Sequence, residues 1–450
     1  MYFGIGVSII LALLVALVGP LFVDWTAYRS AFEEQATEIL GHPVRVTGTA
    51  DATLLPVPEL TFTGVVIGAD AADPLMTVGR FEVEVELFPL LTGEVRVTRM
   101  QLAQPELTLR VSEGGALDWI AEGNGVPVDP QKVVFDRVDV TDGSIRILDD
   151  RRPAPIEITG VNAAIEARSL IGPYKFDGGV VIEGEPAMLR VSTGARDDTG
   201  RLVVKATMTP ASRPVELIVD GALTVAEGQP QWAGSTRLRR IVAEGDSAMP
   251  WILVADVEAD PNRVRARQLD FRYGPEDRPF SISGAATIDL GGEPTFDAVL
   301  SARQIDLDRT LGSGPDAPVS FETALSAIAA TLQAIPTPPI EGRVGFDIPG
   351  VVVGGSLVQS VRLDLVTASN GWLVETMNAA LPGRTSLAAT GALITTPATS
   401  FQGAVSLASE QPATLLAWWY PTRDRTLLDP FDVRARIECS AAGVRLSDLT

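Results

Sequence analysis

The sequence predicts a mainly β protein that starts with a transmembrane helix and carries a few short helices between its strands. Two observations lead to this prediction. Residues 2–23 form an uncharged apolar run with no second run like it in 450 residues, and much of the remaining chain alternates apolar and polar residues. Antiparallel strands with one apolar face need that face covered. A closed barrel, a sandwich or a long curled sheet would each cover it.

The apolar run is long enough to cross a bilayer as a helix, which takes about 20 residues. A signal peptide would instead show a basic start, a shorter apolar core and a small-x-small cleavage site. No Lys or Arg precedes this run, and it ends in GPLFVDW without such a site. We therefore predict an uncleaved anchor at residues 1–24, with a short N-terminus inside and a large body outside. The anchor positions are Ile5, Ile9, Leu13, Leu17, Leu21 and Trp25.

The charge balance and the rarity of two residue types exclude several classes of function. A net charge of −21 without a Lys/Arg cluster makes the chain a poor partner for nucleic acid and for anionic lipid headgroups. Cys439 is the only cysteine and His42 the only histidine. The chain therefore cannot form an intramolecular disulfide, or a usual zinc site from its own soft ligands.

The sequence contains no recognisable catalytic arrangement. His42 precedes Pro43 and has no partner that could orient it as a general base, so it is interpreted as a loop residue. Glu82, Glu84 and Glu86 are interpreted as solvated carboxylates on a strand face rather than as a cation site. Phosphate-binding loops and nucleophile elbows are also missing. We predict no catalytic residue, no cofactor and no metal, and therefore no enzyme.

The segment from Tyr28 to Leu40 predicts a membrane-proximal helix that caps the first strands. Gly41 is expected to follow its last turn and to end it. The apolar face of this helix would carry Phe32, Ala36, Ile39 and Leu40, and its polar face Glu33, Glu34 and Glu38.

Beyond this helix the period changes to two. FEVEVEL at residues 81–87 alternates strictly, with apolar residues on one face and glutamates on the other, which is typical of a half-buried strand. Further strands are predicted at 201–208, 215–219, 296–301, 343–348, 361–366, 372–377 and 401–407. Four dipeptides that end in glycine are predicted as hairpin tips. They are Thr92-Gly93, Asp142-Gly143, Asp177-Gly178 and Asp220-Gly221.

Two segments interrupt the strands with helical spacing. In FETALSAIAATLQAI apolar residues recur with a helical period, and Ser320 is expected to cap the N-terminus. A shorter helix is predicted from Pro412 to Trp419, because proline suits the first helical turn. The aromatic run Trp418-Trp419-Tyr420 is expected to pack this helix against the sheet, and contact with lipid or a partner is the alternative.

Three motifs follow one another in residues 22–120. The first, FVDWTAYRSAFEEQATEILGHPVRVTG, resembles the passage from membrane helix through a short helix into the first strand that is found in the AsmA family of envelope proteins. LLPVPELTFTGVVIG resembles its L-L-P-x-P-x-L segment, and FPLLTGEVRVTRMQLAQPELTLRVSEGGALDW its P-L-L-x-G strand, its L-x-x-P segment and the closing Gly and Trp. His42 stands where the family commonly has a basic residue, and Gly64 where a polar residue is usual. Beyond residue 120 the resemblance is limited to a similar succession of strand segments, together with Leu307-Asp308 and Leu381-Pro382-Gly383.

The resemblance implies a bridge-like lipid-transfer architecture of the chorein type. The long curled antiparallel sheet would be an open trough lined by apolar side chains. It would be anchored in the bacterial inner membrane as a single-pass protein, with the N-terminus cytoplasmic and the body periplasmic. The residues expected to line the groove are Val83, Val85, Leu87, Val95, Val97, Leu107, Leu109 and Val111. For each of them an ordinary sheet core, buried by protein, is the alternative.

Three regions follow from this interpretation: the anchor at 1–24, an AsmA-type N-terminal module at 25–120 and an extended β-sheet groove at 121–450. The last strands, FDVRARIEC and AAGVRLSDLT, resemble a hairpin without a terminal cap. The groove is therefore expected to continue beyond the given chain.

Three hypotheses for the function remain. The first is a carrier or conduit for phospholipid that supports outer-membrane biogenesis, with the inner membrane, phospholipid and envelope proteins as partners. The second is a scaffold or an assembly and regulatory factor for outer-membrane proteins, which would have a filled core and no continuous groove. The third is an anchored enzyme, which no constellation of residues supports.

Overall fold

The structure is a computed structural model that describes most of residues 29–450. The residues it does not describe are 1–28, 54, 56, 71, 87–95, 115–133, 152–153, 168–171, 198, 227–228, 244, 246–247, 313–317, 335–337, 339, 396–397, 421–428 and 441–442. The predicted anchor therefore lies outside the described residues. In the part that is described, no helix combines the length and the hydropathy needed to span a bilayer.

The chain divides into two compact units, residues 1–234 and 235–450. Each contains a curled β-sheet, and the predicted mainly β fold with a few short helices is confirmed. The helices are α1 (Arg29–Leu40), α2 (Leu307–Leu311), α3 (Phe321–Ala334) and α4 (Pro412–Trp419).

The first unit contains strands β1 to β11. Their bounds are Val44–Val46, Ala50–Thr53, Glu59–Ile67, Met76–Val85, Arg96–Val111, Val134–Asp149, Ile156–Ala167, Tyr174–Ile182, Glu185–Thr193, Leu202–Pro210 and Val215–Ala226. Strands β1 and β2 both pair with β3, and from β3 onward each strand pairs with the next one in the chain. All of these pairings are antiparallel except β5–β6, which is parallel.

Strand β12 (Gln229–Arg240) crosses the boundary between the units, and β13 to β24 belong to the second unit. Their bounds are Trp251–Asp260, Arg263–Tyr273, Phe280–Asp289, Thr295–Ser301, Ile305–Asp306, Glu341–Val353, Ser356–Ala368, Gly371–Leu381, Thr385–Ile394, Ser400–Ser409, Phe431–Ser440 and Gly443–Ser447. Strands β13 to β16 form one antiparallel run, and β18 to β24 form another. The two runs join where β16 and the short β17 pair with β18 in parallel.

The predicted helices and strands are found where the sequence placed them. The seven predicted strands lie in β10, β11, β16, β18, β19, β20 and β22. The Ser320 hydroxyl accepts a hydrogen bond from the Thr323 N–H at 3.1 Å, which confirms the predicted N-cap of α3. Helix α4 has its proline at the first turn, and Gly41 follows α1 with a φ of 71°.

The predicted hairpin tips are wrong wherever the structure describes them. Asp142-Gly143, Asp177-Gly178 and Asp220-Gly221 lie inside β6, β8 and β11, and Thr92-Gly93 lies outside the described residues. At Gly178 a Cβ would come within 2.4 Å of the Ala163 Cβ on the adjacent strand. Glycine is used here for close strand contact and not for a turn. The turn after β8 is made instead by Glu183-Gly184, both with positive φ.

A row of residues with positive φ crosses the first sheet. Gly64, Gln104, Asp142 and Gly160 have φ values of 64°, 51°, 55° and 57°, and the strand registers place them in line across β3 to β7. The pairing register shifts at Asp142 and Gly160, as at a β-bulge, whereas at Gly64 and Gln104 the pairing with β4 continues without a shift. In β7, for example, Ile158 precedes Gly160 and Ile165 follows it, yet both belong to one cluster. The row therefore keeps the apolar face continuous where strict alternation would reverse it.

Candidate functional site

Each unit has a sheet with one apolar and one polar face. In β23 the residues at every second position are partly buried, and those between them are exposed. The partly buried set is Phe431, Val433, Ala435, Ile437 and Cys439, and the exposed set is Asp432, Arg434, Arg436, Glu438 and Ser440. On the polar face of the first unit, Arg190 and Asp177 form an exposed ion pair at 2.9 Å. Such pairs contribute about 0–1 kcal/mol, so the apolar face dominates the energetics.

The apolar face of the first unit packs mainly against itself. Its cluster of buried residues comprises Val140, Val161, Val180 and Ala187, one from each of β6 to β9. The partly buried residues around them also lie on strands: Leu102, Val138, Ile158, Ala163, Ile165, Phe176, Ile182, Leu189 and Met208. Side chains on the inner side of a curled sheet approach their neighbours on adjacent strands, which buries part of each one without a second layer.

In the second unit a comparable set of residues forms what we call the strand-only cluster. Its buried members are Ala298, Val344, Leu365 and Val374. The partly buried members are Ala286, Phe296, Leu300, Phe346, Leu363, Trp372, Met377, Leu393 and Phe401. All lie on strands β15 to β22, and none is charged. An apolar surface that is only partly buried is able to bind hydrocarbon, which gains about 25 cal/mol per Å² removed from water.

Beside it lies the capped cluster, where helices cover the same sheet face. Ile348, Val353, Val358 and Ala379 of the sheet are at most 9% exposed. The helical residues that pack into this cluster are Leu307, Leu311, Phe321, Ala324, Leu415 and Trp418. We call α2, α3 and α4 the helical cap, because together they bury this part of the face with protein.

Asp308 holds the cap onto the sheet. Its carboxylate is 3% exposed and accepts hydrogen bonds from the backbone N–H groups of Gly354 at 2.9 Å, Gly355 at 2.8 Å and Val319 at 3.1 Å. Gly354 and Gly355 form the turn between β18 and β19, with φ values of 62° and 71°, and Val319 precedes α3. A buried carboxylate is stable only with such hydrogen bonds, so the three segments are fixed to one another.

Trp418 provides the second attachment. Its indole Nε1 donates a hydrogen bond of 2.8 Å to the Val353 carbonyl oxygen. Trp419 and Tyr420 are 39% and 53% exposed and stack on each other, and the Trp419 ring also contacts that of Phe321 in α3, with centroids 5.0 Å apart. The prediction that the aromatic run packs α4 against the sheet is therefore confirmed for Trp418, whereas Trp419 packs on α3 and Tyr420 is largely exposed. An aromatic run on a short helix cannot place all of its rings on one side.

Helix α1 covers the start of the first sheet, as predicted. The rings of Phe32 and Phe62 stack with centroids 3.9 Å apart, and Ala36 packs into the same cluster. Leu40, however, is 43% exposed, and the Glu33 carboxylate, predicted on the polar face, accepts a hydrogen bond of 2.7 Å from the Val46 N–H. The N–H groups of edge strand β1 need acceptors, and this carboxylate supplies one.

Six of the eight predicted groove-lining residues lie in the described part of the chain. The strand register, with its shift between Glu84 and Val85, and the positive φ of Gln104 place them on one sheet face. Val83 and Val97 are 6% and 5% exposed. Val85, Leu107, Leu109 and Val111 are partly buried, and Leu87 and Val95 lie outside the described residues. Their role in lining a groove stays a prediction.

The comparison with protein families agrees with the motifs of the N-terminal strands. Residues 2–150 match the model of the AsmA family. The AsmA resemblance is thereby confirmed over this range, which includes α1, the first six strands and the predicted lining residues. No curated protein and no solved structure matches the chain.

Beyond the AsmA range, the sequence predicts α3 and α4 but neither α2 nor the attachment of the three helices to the sheet. Leu307-Asp308 and Leu381-Pro382-Gly383 were identified only as part of a general likeness to the family. In the structure Leu307, Leu381 and Leu415 belong to one cluster, and the Gly383 carbonyl oxygen accepts a hydrogen bond from the Gln411 N–H at 2.9 Å, just before α4. The one local sign of this attachment was an aspartate that follows an apolar residue at the start of a helix. The three N–H groups that donate to Asp308 belong to residues 11 to 47 positions further along the chain.

Proposed function

We propose that this chain is an inner-membrane-anchored envelope protein that carries or conducts phospholipid along an apolar β-groove. AsmA family membership over residues 2–150 and a curled β-sheet support an envelope or lipid-transport role. The protein needs no catalytic residue for this function, because the process is a transfer of hydrocarbon between two apolar environments.

The observation that carries the proposal is the partial exposure of the apolar face. In a filled sandwich or a closed barrel of this size, alternate residues of a strand would be fully buried by the opposite layer. Here Leu107, Leu109 and Ile147 are only partly buried, although they lie side by side on β5 and β6. Acyl chains bound there would complete the burial while their headgroups stayed in water.

The experiment is native mass spectrometry of the full chain extracted in detergent, with lipid extraction of the same sample. Phospholipid should co-purify with the wild-type protein. Leu109→Asp places a charge on the apolar face, where it would have to be desolvated, and should abolish co-purification in a protein that remains folded by circular dichroism. Thr108→Asp is the matched control, since Thr108 points to the opposite face of the same strand.

Each result decides between the two remaining hypotheses. A folded wild-type protein that never carries lipid would remove the conduit and favour a scaffold for outer-membrane proteins. Lipid that is retained equally by Leu109→Asp and by Thr108→Asp would show that it binds elsewhere, for example as an annulus around the anchor.

A further inference from the structure

We propose that in the second unit lipid acyl chains lie on the strand-only cluster and that the helical cap, held by Asp308, keeps them off the capped cluster. This inference rests on the proposed function. It adds which part of the apolar face is used and which residue sets its limit.

The two clusters belong to one continuous face. Leu300 and Phe346 pack against both of them, so a hydrocarbon chain on the strand-only cluster would meet the capped cluster at these two residues. What differs between the clusters is their cover. Ala324 is 2% exposed, Leu415 4% and Trp418 7%, and these three side chains occupy the space above the sheet that an acyl chain would need.

The cap cannot move aside without losing buried hydrogen bonds. Lifting α2 and α3 would separate the Asp308 carboxylate from Gly354 and Gly355, and lifting α4 would separate the Trp418 indole from the Val353 carbonyl. Buried polar groups left without partners are costly. The capped cluster is therefore a closed limit of the apolar face rather than a second position for lipid.

The strand-only cluster fits hydrocarbon better than an extended peptide. Strands β16 and β18 to β22 use their backbone N–H and C=O groups to pair with one another, so the face above them offers no backbone partner. An extended peptide lying there would bury its own polar backbone without hydrogen bonds, which is unfavourable, whereas an acyl chain has no such groups. Met377 adds an unbranched side chain that adapts to an occupant of irregular shape.

The test uses full-length protein in detergent, loaded with a phosphatidylethanolamine that carries a diazirine near the middle of one acyl chain. After irradiation, labelled peptides are identified by mass spectrometry. Label is expected on the strand-only cluster, at Met377, Leu393 and Phe401. Val353 and Val358, which belong to the capped cluster, should carry about tenfold less. Asp308→Asn should raise the label at Val353 and Val358, while Asp347→Asn, a change on the exposed polar face, should leave it low.

The outcomes separate this inference from the proposed function. Equal labelling of both clusters in the wild-type protein, or labelling confined to the first unit, would overturn the inference and leave lipid binding intact. Labelling of neither unit would overturn the proposed function itself. The comparison of the two clusters in the wild-type protein tests the inference by itself. That test is unaffected if Asp308→Asn does not fold.

Discussion

The carboxylate of Asp308 accepts a hydrogen bond of 2.9 Å from the N–H of Gly354, 46 residues further along the chain. Replacing Asp308 by Ala would remove the acceptor of three backbone N–H groups, those of Gly354, Gly355 and Val319. We expect the free energy of unfolding of the second unit to fall by about 3–5 kcal/mol, because a hydrogen bond to a charged group contributes about 1.5–3 kcal/mol and the losses are not fully additive. Urea unfolding followed by tryptophan fluorescence measures the loss.

The control for this variant is Asp347→Ala. The Asp347 side chain is exposed on the polar face, so its removal should change the free energy of unfolding by less than about 0.5 kcal/mol. An equal loss in both variants would show that the charge of Asp308, and not its hydrogen bonds, stabilises the unit.

Trp418 and Trp419 form a matched pair of neighbouring tryptophans. Trp418→Phe removes the indole donor to the buried Val353 carbonyl and should lower the free energy of unfolding by about 1–3 kcal/mol. Trp419→Phe changes a side chain that is 39% exposed and should have little effect. Thermal unfolding of both variants checks the prediction, and it would be wrong if the Trp419 variant were the less stable one.

Two glycines of adjacent strands are predicted to respond differently to replacement by alanine. Gly160 has a φ of 57°, and a Cβ there would lie 3.3 Å from the Val181 side chain. Gly160→Ala should therefore destabilise the first unit by about 1–2 kcal/mol. At Gly179 nothing lies within 4 Å of an added Cβ, and Gly179→Ala should be neutral or slightly stabilising. Chemical unfolding should show a loss of stability for Gly160→Ala and none for Gly179→Ala.

Burial raises the pKa of the Tyr174 phenol above its ordinary value. Because the neutral form is favoured in the folded state, the resulting stabilisation is complete below the unfolded pKa of about 10 and is lost as the pH rises through the folded pKa. Tyr174 lies on the same face of β8 as Phe176. Lipid bound there would bury the phenol further and raise its pKa again.

This shift is measurable by NMR titration of tyrosine Cζ in lipid-loaded and delipidated protein, with Tyr174→Phe to assign the signal. A titration midpoint that is identical with and without lipid would place the acyl chains away from this end of β8.

Sequence patterns identified the elements better than the contacts between them. Strict alternation at 81–87 and the Ser320 cap of α3 are local signals, and both were confirmed where the structure describes them. Asp177-Gly178 was misread, because the same dipeptide serves a turn or a close strand contact, and only the neighbouring Ala163 decides between them. The side of α4 that Trp418 occupies likewise depends on the sheet beneath it.

For the candidate site, too, the sequence predicted which neighbouring residues share a face but not the contacts that depend on the fold. Leu107 and Leu109 were identified as members of one face, since that follows from a period of two. Met100 and Leu102 join the same face only because the φ of 51° at Gln104 changes the alternation, and no local pattern marks this residue. The role of Asp308 needed residues 319, 354 and 355 to come together in the fold.

The parallel pairings have a consequence for how each unit folds. Hairpin-linked strands can pair as soon as they are made, but β5 and β6 must wait until the connection 112–133 has closed, and β16 and β18 until 302–340 has. Closing a long connection costs entropy before any contact repays it, so such steps are slow. Each unit thus consists of two meanders that form locally and one late joining step. In the second unit Asp308 lies within the late connection, so the cap that limits the apolar face is completed at the slowest stage of folding.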